Sequence, residues 1–175
     1  MANTSKEQIE EDEMKILAEL QRNSNESIDV IAKRCGFSRQ KVWKIIKRLE
    51  EHRIIWGYTT VVDEECQGLQ KFIILIKQTM KILDGETAEK VTIDEIKEEY
   101  TNIGITIESS HYIHGEYDWL LIFTAKDLIH AKKFSQLIAS IYPEVIEKIY
   151  LTRVLYSPRN HHITNPRLLK VKEFI

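Results

Sequence analysis

The stretch CGFSRQKVWKIIKRLEEHRIIWGY, residues 35–58, decides how the first part of the chain folds. Ser38 is a residue type favoured at helix N-termini, and apolar residues recur at helical spacing after it. These apolar residues are Val42, Ile45, Ile46 and Leu49. The pattern predicts a helix that buries one face and turns the side chains between these positions outward.

The residues upstream predict two further helices. Ile9, Ile16, Leu17 and Leu20 favour a first helix that ends near Asn23. Ser27 can cap a short second helix that stops at Gly36, because glycine tolerates the left-handed conformation that ends a helix. About three residues then separate the second helix from the third, which is the spacing of a helix-turn-helix.

Charge is segregated along the chain although the net charge is only -2. Residues 6–26 carry three basic and seven acidic side chains, whereas residues 28–58 carry eight basic and three acidic ones. Residues 59–175 carry fourteen basic and seventeen acidic side chains. One basic block on an otherwise acidic chain favours a polyanion that binds through a single domain, since attraction to phosphates is local and additive.

The outer face of the third helix is therefore interpreted as a recognition surface for duplex DNA, since a major groove admits an α-helix. Arg39, Gln40, Trp43 and Lys44 are placed to reach base edges, while Lys47 and Arg48 are placed to reach phosphates. The full predicted DNA-binding set is Ser38, Arg39, Gln40, Lys41, Trp43, Lys44, Lys47 and Arg48. The alternative is a solvated basic helix face, and Trp43 could instead pack against a neighbouring domain.

After Arg53 the pattern changes to β-branched and aromatic residues, which predicts an extended connection. The remaining periodicities predict the element order βαββαβ, with a tail after Tyr156 that is irregular apart from a short helix around Leu168. The expected class is α+β: a winged helix-turn-helix domain over residues 1–56, a linker over 57–68, a ferredoxin-like αβ-sandwich over 69–156 and a tail over 157–175. Such a sheet has helices on one face only, so a second copy is the simplest cover for the other face.

Several classes of site and location are disfavoured by the sequence. Cys35 and Cys66 are too few for a disulfide framework and are predicted to be reduced packing residues. His111, His114, Glu116 and Asp118 do not predict a metal site, since Gly115 breaks the strand alternation, and the same holds for the tail pair His161 and His162. Nucleophile, zinc-protease and phosphate-loop motifs are missing, so neither catalysis nor a cofactor is expected. Without a signal-like or spanning segment, the cytoplasm is the expected location.

Two sets of motifs resemble the feast/famine, or Lrp/AsnC, family of transcription regulators. In the first half these are DEMKILAELQRN (12–23), IAKRCGFS (31–38), RLE (48–50) and IIWGY (54–58). In the second half they are GEYD (115–118) and PEV (143–145). The resemblance covers residues 10 to 156 in order, and it implies a regulator that dimerises through its sheets, often assembles into octamers, and binds a small effector, usually an amino acid.

The resemblance also implies roles and exposes departures. It assigns Gly115, Tyr117 and Asp118 to the effector site, with Asp118 facing an amino group, so Asp118→Ala is expected to abolish an amino-acid response without unfolding the domain. Arg53 stands where the family has a glycine, which implies strain if this position is left-handed. The segment 81–104 is longer and more acidic than in the family. Two alternatives are an amino-acid sensor or assembly scaffold with incidental DNA affinity, and a haem-precursor decarboxylase of similar architecture.

Overall fold

The computed structural model describes residues 6–80, 93–167 and 172. It divides into two compact units, Met1–Val61 with Pro158–Leu168, and Val62–Ser157 with Leu169–Ile175. The first unit is therefore built from both ends of the chain.

Three helices form the first unit: α1 (Lys6–Arg22), α2 (Ile28–Cys35) and α3 (Arg39–Glu51). Ser27 and Ser38 cap α2 and α3, each accepting a hydrogen bond from a backbone N–H three residues on. Gly36 ends α2 in the left-handed conformation at φ +69. These caps confirm the predicted helix-turn-helix.

The core of the first unit is small and apolar. Each of the three helices contributes the apolar residues of one side to this core, as the helical periodicity predicts. Its buried residues are Ile16, Leu20, Ile31, Ala32, Val42, Ile45 and Leu49.

The second unit has the predicted order βαββαβ within the described residues. Its strands are β1 (Gln70–Gln78), β2 (Thr106–Tyr112), β3 (Trp119–Ala125) and β4 (Ile146–Arg153). Its helices are α4 (Lys97–Asn102), which follows a 3-10 turn at Ile93–Ile96, and α5 (Leu128–Ile141). Residues 81–92, which precede the 3-10 turn, lie outside the described residues.

The sheet has the strand order β2-β3-β1-β4, and every neighbouring pair is antiparallel. One face packs on α4 and α5 and carries the large core side chains Phe72 and Phe123, and the ring of Phe123 contacts Phe134 of α5. The other face presents Ile73 and Leu75, which lie opposite Ile122 and Leu120 and are only half-buried. An apolar sheet face is thus left uncovered by the described residues of this unit.

Lys71 anchors the segment that leads into β1. Its ammonium lies 2.6 Å from Glu64, in the 3-10 turn Glu64–Gln67, and 2.9 Å from Glu108 on β2. Burial lowers the pKa of Lys71, but the hydrogen bonds to the two carboxylates outweigh it and the pKa is raised. The segment before β1 is thereby held against the sheet.

The tail differs from the sequence prediction. Residues 158–167, expected to be irregular, contain a hairpin of β5 (Arg159–Asn160) and β6 (Ile163–Thr164). The helix expected around Leu168 lies outside the described residues. Cys35 and Cys66 are not joined in a disulfide, and the prediction that both are packing residues is wrong for Cys66, which is exposed. No helix in the described ranges has the length and apolar composition needed to span a bilayer.

Candidate nucleic-acid interface

The third helix presents a buried side and an exposed side. Val42, Ile45 and Leu49 are at most 7% exposed, whereas Gln40 and Lys44 are exposed and Trp43 is 52% exposed. The hydrophobic core thus fixes the rotation of α3 about its axis. It leaves a polar surface with one aromatic ring directed away from the unit.

The turn before α3 is rigid. After Gly36, the N–H of Phe37 donates to the carbonyl of Ala32 at 2.9 Å. The hydroxyl of Ser38 accepts from the N–H of Lys41 at 3.2 Å. Ser38 therefore has a defined structural task at the start of the helix, in addition to any contact with DNA.

Lys41 is directed toward the unit itself. Its ammonium lies 2.6 Å from the buried carboxylate of Asp12 on α1 and 4.0 Å from the centroid of the Phe37 ring. The hydrogen bond from Lys41 holds the pKa of Asp12 below its usual range, against the opposing effect of burial. Lys41 thus ties α3 to α1.

Three more basic residues of α3 have carboxylate partners. Arg48 lies 2.7 Å from Glu13, and Lys47 lies 2.6 Å from Glu50. Arg39 lies 3.2 Å from Asp29, in a pair whose members are both well exposed. Exposed pairs of this kind are weak and readily exchanged for phosphate contacts. The Arg48 pair is less exposed and joins α3 to α1.

The side chains of Gln40 and Lys44 make no hydrogen bond or ion pair with any of the described residues. Both are exposed on the outer side of α3, one turn apart. Gln can read adenine through paired hydrogen bonds, and Lys can donate to guanine. These two side chains are available for base contact without breaking any intramolecular interaction in that part of the chain.

The end of α3 is closed by a left-handed residue that is not glycine. Arg53 has φ +56, and its N–H donates to the Glu50 carbonyl while the N–H of Ile54 donates to the Leu49 carbonyl. This is the Schellman arrangement, in which glycine is the usual occupant. Tyr58 then returns to the helix, since its hydroxyl donates to Glu50 at 3.0 Å.

The predicted DNA-binding residues therefore fall into groups. Gln40, Trp43 and Lys44 share the open side, Arg39 and Lys47 are exposed within weak pairs, and Lys41 and Arg48 are engaged with α1. Sequence reasoning missed the carboxylates Asp12, Glu13 and Glu50 that hold these cations. One signal was available, because Asp12 precedes Ile16 and Leu20 at four-residue spacing and so interrupts the apolar stripe.

The predicted effector residues lie in the turn between β2 and β3. Gly115 has φ +155, and the Tyr117 ring makes an edge-on contact with Tyr150, with centroids 5.2 Å apart. The Asp118 carboxylate accepts a hydrogen bond from the N–H of Gln78 at 2.7 Å. Its own N–H donates to the Ile76 carbonyl. Asp118 therefore joins this turn to the end of β1, a bond that sequence reasoning did not predict.

Within residues 6–80, 93–167 and 172, no three His, Cys, Asp or Glu side chains are grouped so that they could hold an ion. His111 and His114 are exposed, and so are His161 and His162.

The comparisons agree with this architecture. A family model described as winged helix-turn-helix DNA-binding matches residues 13–55. The chain is 31% identical over 134 residues to the HTH-type transcriptional regulator Ptr1 of Methanocaldococcus jannaschii, covering 76% of this chain and 82% of that protein. It is 26% identical over 125 residues to the leucine-responsive regulatory protein of Haemophilus influenzae, covering 69% of each.

A solved structure extends the likeness to both units. The feast or famine regulatory protein of M. tuberculosis, complexed with L-methionine, superposes with a TM-score of 0.63 at 21% identity. The match covers 89% of this chain and 99% of that one. At this identity the likeness shows a common fold.

Proposed function

The chain belongs to the Lrp/AsnC family of transcription regulators, and from this premise we propose that it reads its DNA site through Gln40 and Lys44 on α3. The observation that carries the assignment is that both side chains are exposed on the open side of a capped recognition helix. Neither is held by an internal partner among the described residues. Trp43 lies between them and can contact a thymine methyl group.

The remaining cations of α3 supply affinity. Arg39 and Lys47 are exposed, so each can exchange its carboxylate for a phosphate. Lys41 and Arg48 orient the helix by their pairs with α1, and Ser38 caps it. Assigned in this way, base reading belongs to the open side of the first two turns of α3, and general phosphate attraction belongs to Arg39 and Lys47.

The regulator is proposed to act as a homodimer. Ile73, Leu75, Leu120 and Ile122 form an apolar patch on the uncovered sheet face, and a second copy of that face would bury it. Two subunits would place their α3 helices in successive major grooves roughly 34 Å apart, so the site should be a rough palindrome. Ile122→Lys should yield a monomer in sedimentation analysis, and an unchanged assembly would exclude this face.

A small effector, such as an amino acid, is proposed to modulate binding from the turn that holds Gly115, Tyr117 and Asp118. The M. tuberculosis relative with L-methionine supports this proposal by its shared fold. We expect a cytoplasmic location and no enzymatic activity, in line with the relatives, which are named as transcription regulators.

The decisive experiment selects bound fragments from sheared genomic DNA at near-physiological salt, with and without a mixture of the twenty amino acids. We expect a palindromic motif, whose occupancy changes with amino acids. Lys44→Ala should then weaken binding to that motif selectively, whereas Lys47→Ala should weaken binding to all sequences alike. Fragments without a common motif would reject sequence-specific regulation, and equal losses in both variants would reject the assigned base-reading side.

A further inference from the structure

The tail hairpin belongs to the DNA-binding unit and not to the sheet that precedes it in sequence. Residues Pro158–Leu168 form one compact unit with the three helices. In the hairpin, Arg159 lies opposite Thr164 and Asn160 lies opposite Ile163. The guanidinium of Arg159 donates to the Thr164 hydroxyl at 3.3 Å, a bond that joins the two strands across the ribbon.

The loop of the hairpin is formed by His161 and His162. Their φ angles are +43 and +66, so both residues are left-handed, as in a type I′ turn. This turn matches the twist of the strands and is ordinarily made by Asn-Gly, because side chains with a Cβ are disfavoured there. The hairpin thus places two exposed imidazole rings at its tip although the left-handed backbone there is disfavoured. This conformational cost indicates that the rings have a functional role.

The charge of the hairpin is of one sign. Residues 158–167 contain two arginines and two histidines and no carboxylate, and Arg159 and the two histidines are exposed. The αβ-sandwich is acidic and does not account for a basic segment, whereas a polyanion bound by the helical unit would attract one. A row of phosphate groups is the ligand whose charge complements the hairpin.

The hairpin also supplies an element that the unit otherwise lacks. The matched family is described as winged, yet residues 6–61 contain no strand. Among the described residues of the unit, β5 and β6 are the strands, and they come from the opposite end of the chain. A two-stranded β-ribbon is a known form of DNA contact.

We propose that the hairpin Arg159–Thr164 is the wing of this regulator, and that it contacts the phosphate backbone of DNA flanking the site read by α3. Arg159 binds a phosphate, and His161 and His162 reach the groove edge at the tip. The inference rests on the proposed function, since it needs a duplex held by α3.

The test measures binding of the full chain by fluorescence anisotropy over a range of salt. Two duplexes are used: the selected site with its flanks, and the same site trimmed of them. Arg159→Gln should weaken binding to the long duplex about three- to tenfold and reduce the salt slope by about one. On the trimmed duplex the variant and the wild type should bind alike.

A second variant separates the side chains from the shape of the ribbon. His161→Asn with His162→Gly retains a favourable type I′ turn but removes both rings, so the fold should persist while affinity for the long duplex falls. Lys132→Gln, on an exposed residue of α5, is the control for loss of one positive charge and should bind as the wild type does.

The outcomes distinguish this inference from the function on which it rests. If Arg159→Gln and the turn variant keep wild-type affinity and salt slope while Lys44→Ala loses affinity, the hairpin is not a wing and the proposed function stands. If the wild type binds no duplex, both fail. A loss of affinity that is equal on the long and trimmed duplexes would also overturn the flanking contact.

Discussion

The ammonium of Lys41 lies 2.6 Å from the buried carboxylate of Asp12, and this pair joins the recognition helix to the first helix. Lys41→Met leaves the carboxylate buried without its cation. We expect the free energy of unfolding to fall by about 1–2 kcal/mol, less than for a fully buried pair because Lys41 is 43% exposed. Urea unfolding measures the change. Lys41→Met with Asp12→Leu should recover most of the loss, and no recovery would show that the pair itself is not the cause.

The same pair predicts an acid dependence of stability. The pKa of Asp12 is lower in the folded chain than in the unfolded chain, so the ionised carboxylate favours folding. Its contribution is complete above about pH 4 and is lost as the pH falls through the folded pKa. When the pH is lowered from about 4 to about 2, the free energy of unfolding should therefore fall less for Asp12→Asn than for the wild type. Parallel curves for the two proteins would contradict the assigned shift.

Glu50 holds Lys47 in the free protein. Its carboxylate accepts hydrogen bonds from Lys47 at 2.6 Å and from Tyr58 at 3.0 Å, which lower the pKa of Glu50. Glu50→Gln should release the cation for a phosphate and raise affinity several-fold for all duplex sequences alike. Glu51→Gln is the matched control, since it makes the same charge change without these bonds. Equal gains in both variants would mean that net charge, and not release of Lys47, determines the effect.

Arg53 predicts a stabilising substitution. Its φ of +56 is disfavoured for any residue with a Cβ. Arg53→Gly should raise the free energy of unfolding by about 1 kcal/mol, because the gain in the left-handed turn exceeds the added freedom of the unfolded chain. Arg53→Ala keeps the Cβ and should give no such gain in urea unfolding. If both variants behaved alike, the arginine would be unstrained.

Asp118 is expected to have a structural as well as a binding role. Its bond to the Gln78 N–H predicts that Asp118→Ala lowers the free energy of unfolding by about 1–3 kcal/mol. Loss of an amino-acid response in that variant would therefore not by itself identify a ligand contact. Tyr117→Phe, which keeps the ring packed on Tyr150, is the companion variant for calorimetry. Unchanged stability of Asp118→Ala would contradict the structural role.

The sequence predicted those features that depend on local rules. Ser27, Gly36 and Ser38 mark their helix ends by residue type alone, and the periodicity of apolar residues identifies the buried side of α3. The order βαββαβ follows in the same way. Resemblance to the family left open whether Arg53 is left-handed, and the structure shows that it is, at φ +56.

The missed features depend on contacts between residues distant in sequence or on turn geometry without a residue signal. Spacing along α3 makes Lys41 and Lys44 equivalent basic residues, but only the packing of α1 brings Asp12 to the first of them. Asp118 meets Gln78 across forty positions of sequence. The tail was expected to be irregular because it has no clear period and holds two of the three prolines of the chain, although His161 and His162 adopt a hairpin turn.

The discontinuity of the DNA-binding unit has a consequence for biosynthesis. A ribosome adds residues from the N-terminus, so the three helices emerge while the sheet is still being made. The hairpin strands follow only after β4 has been made. The helical unit is therefore completed later than the sheet, and a nascent chain stalled within the sandwich would carry a recognition helix without its ribbon.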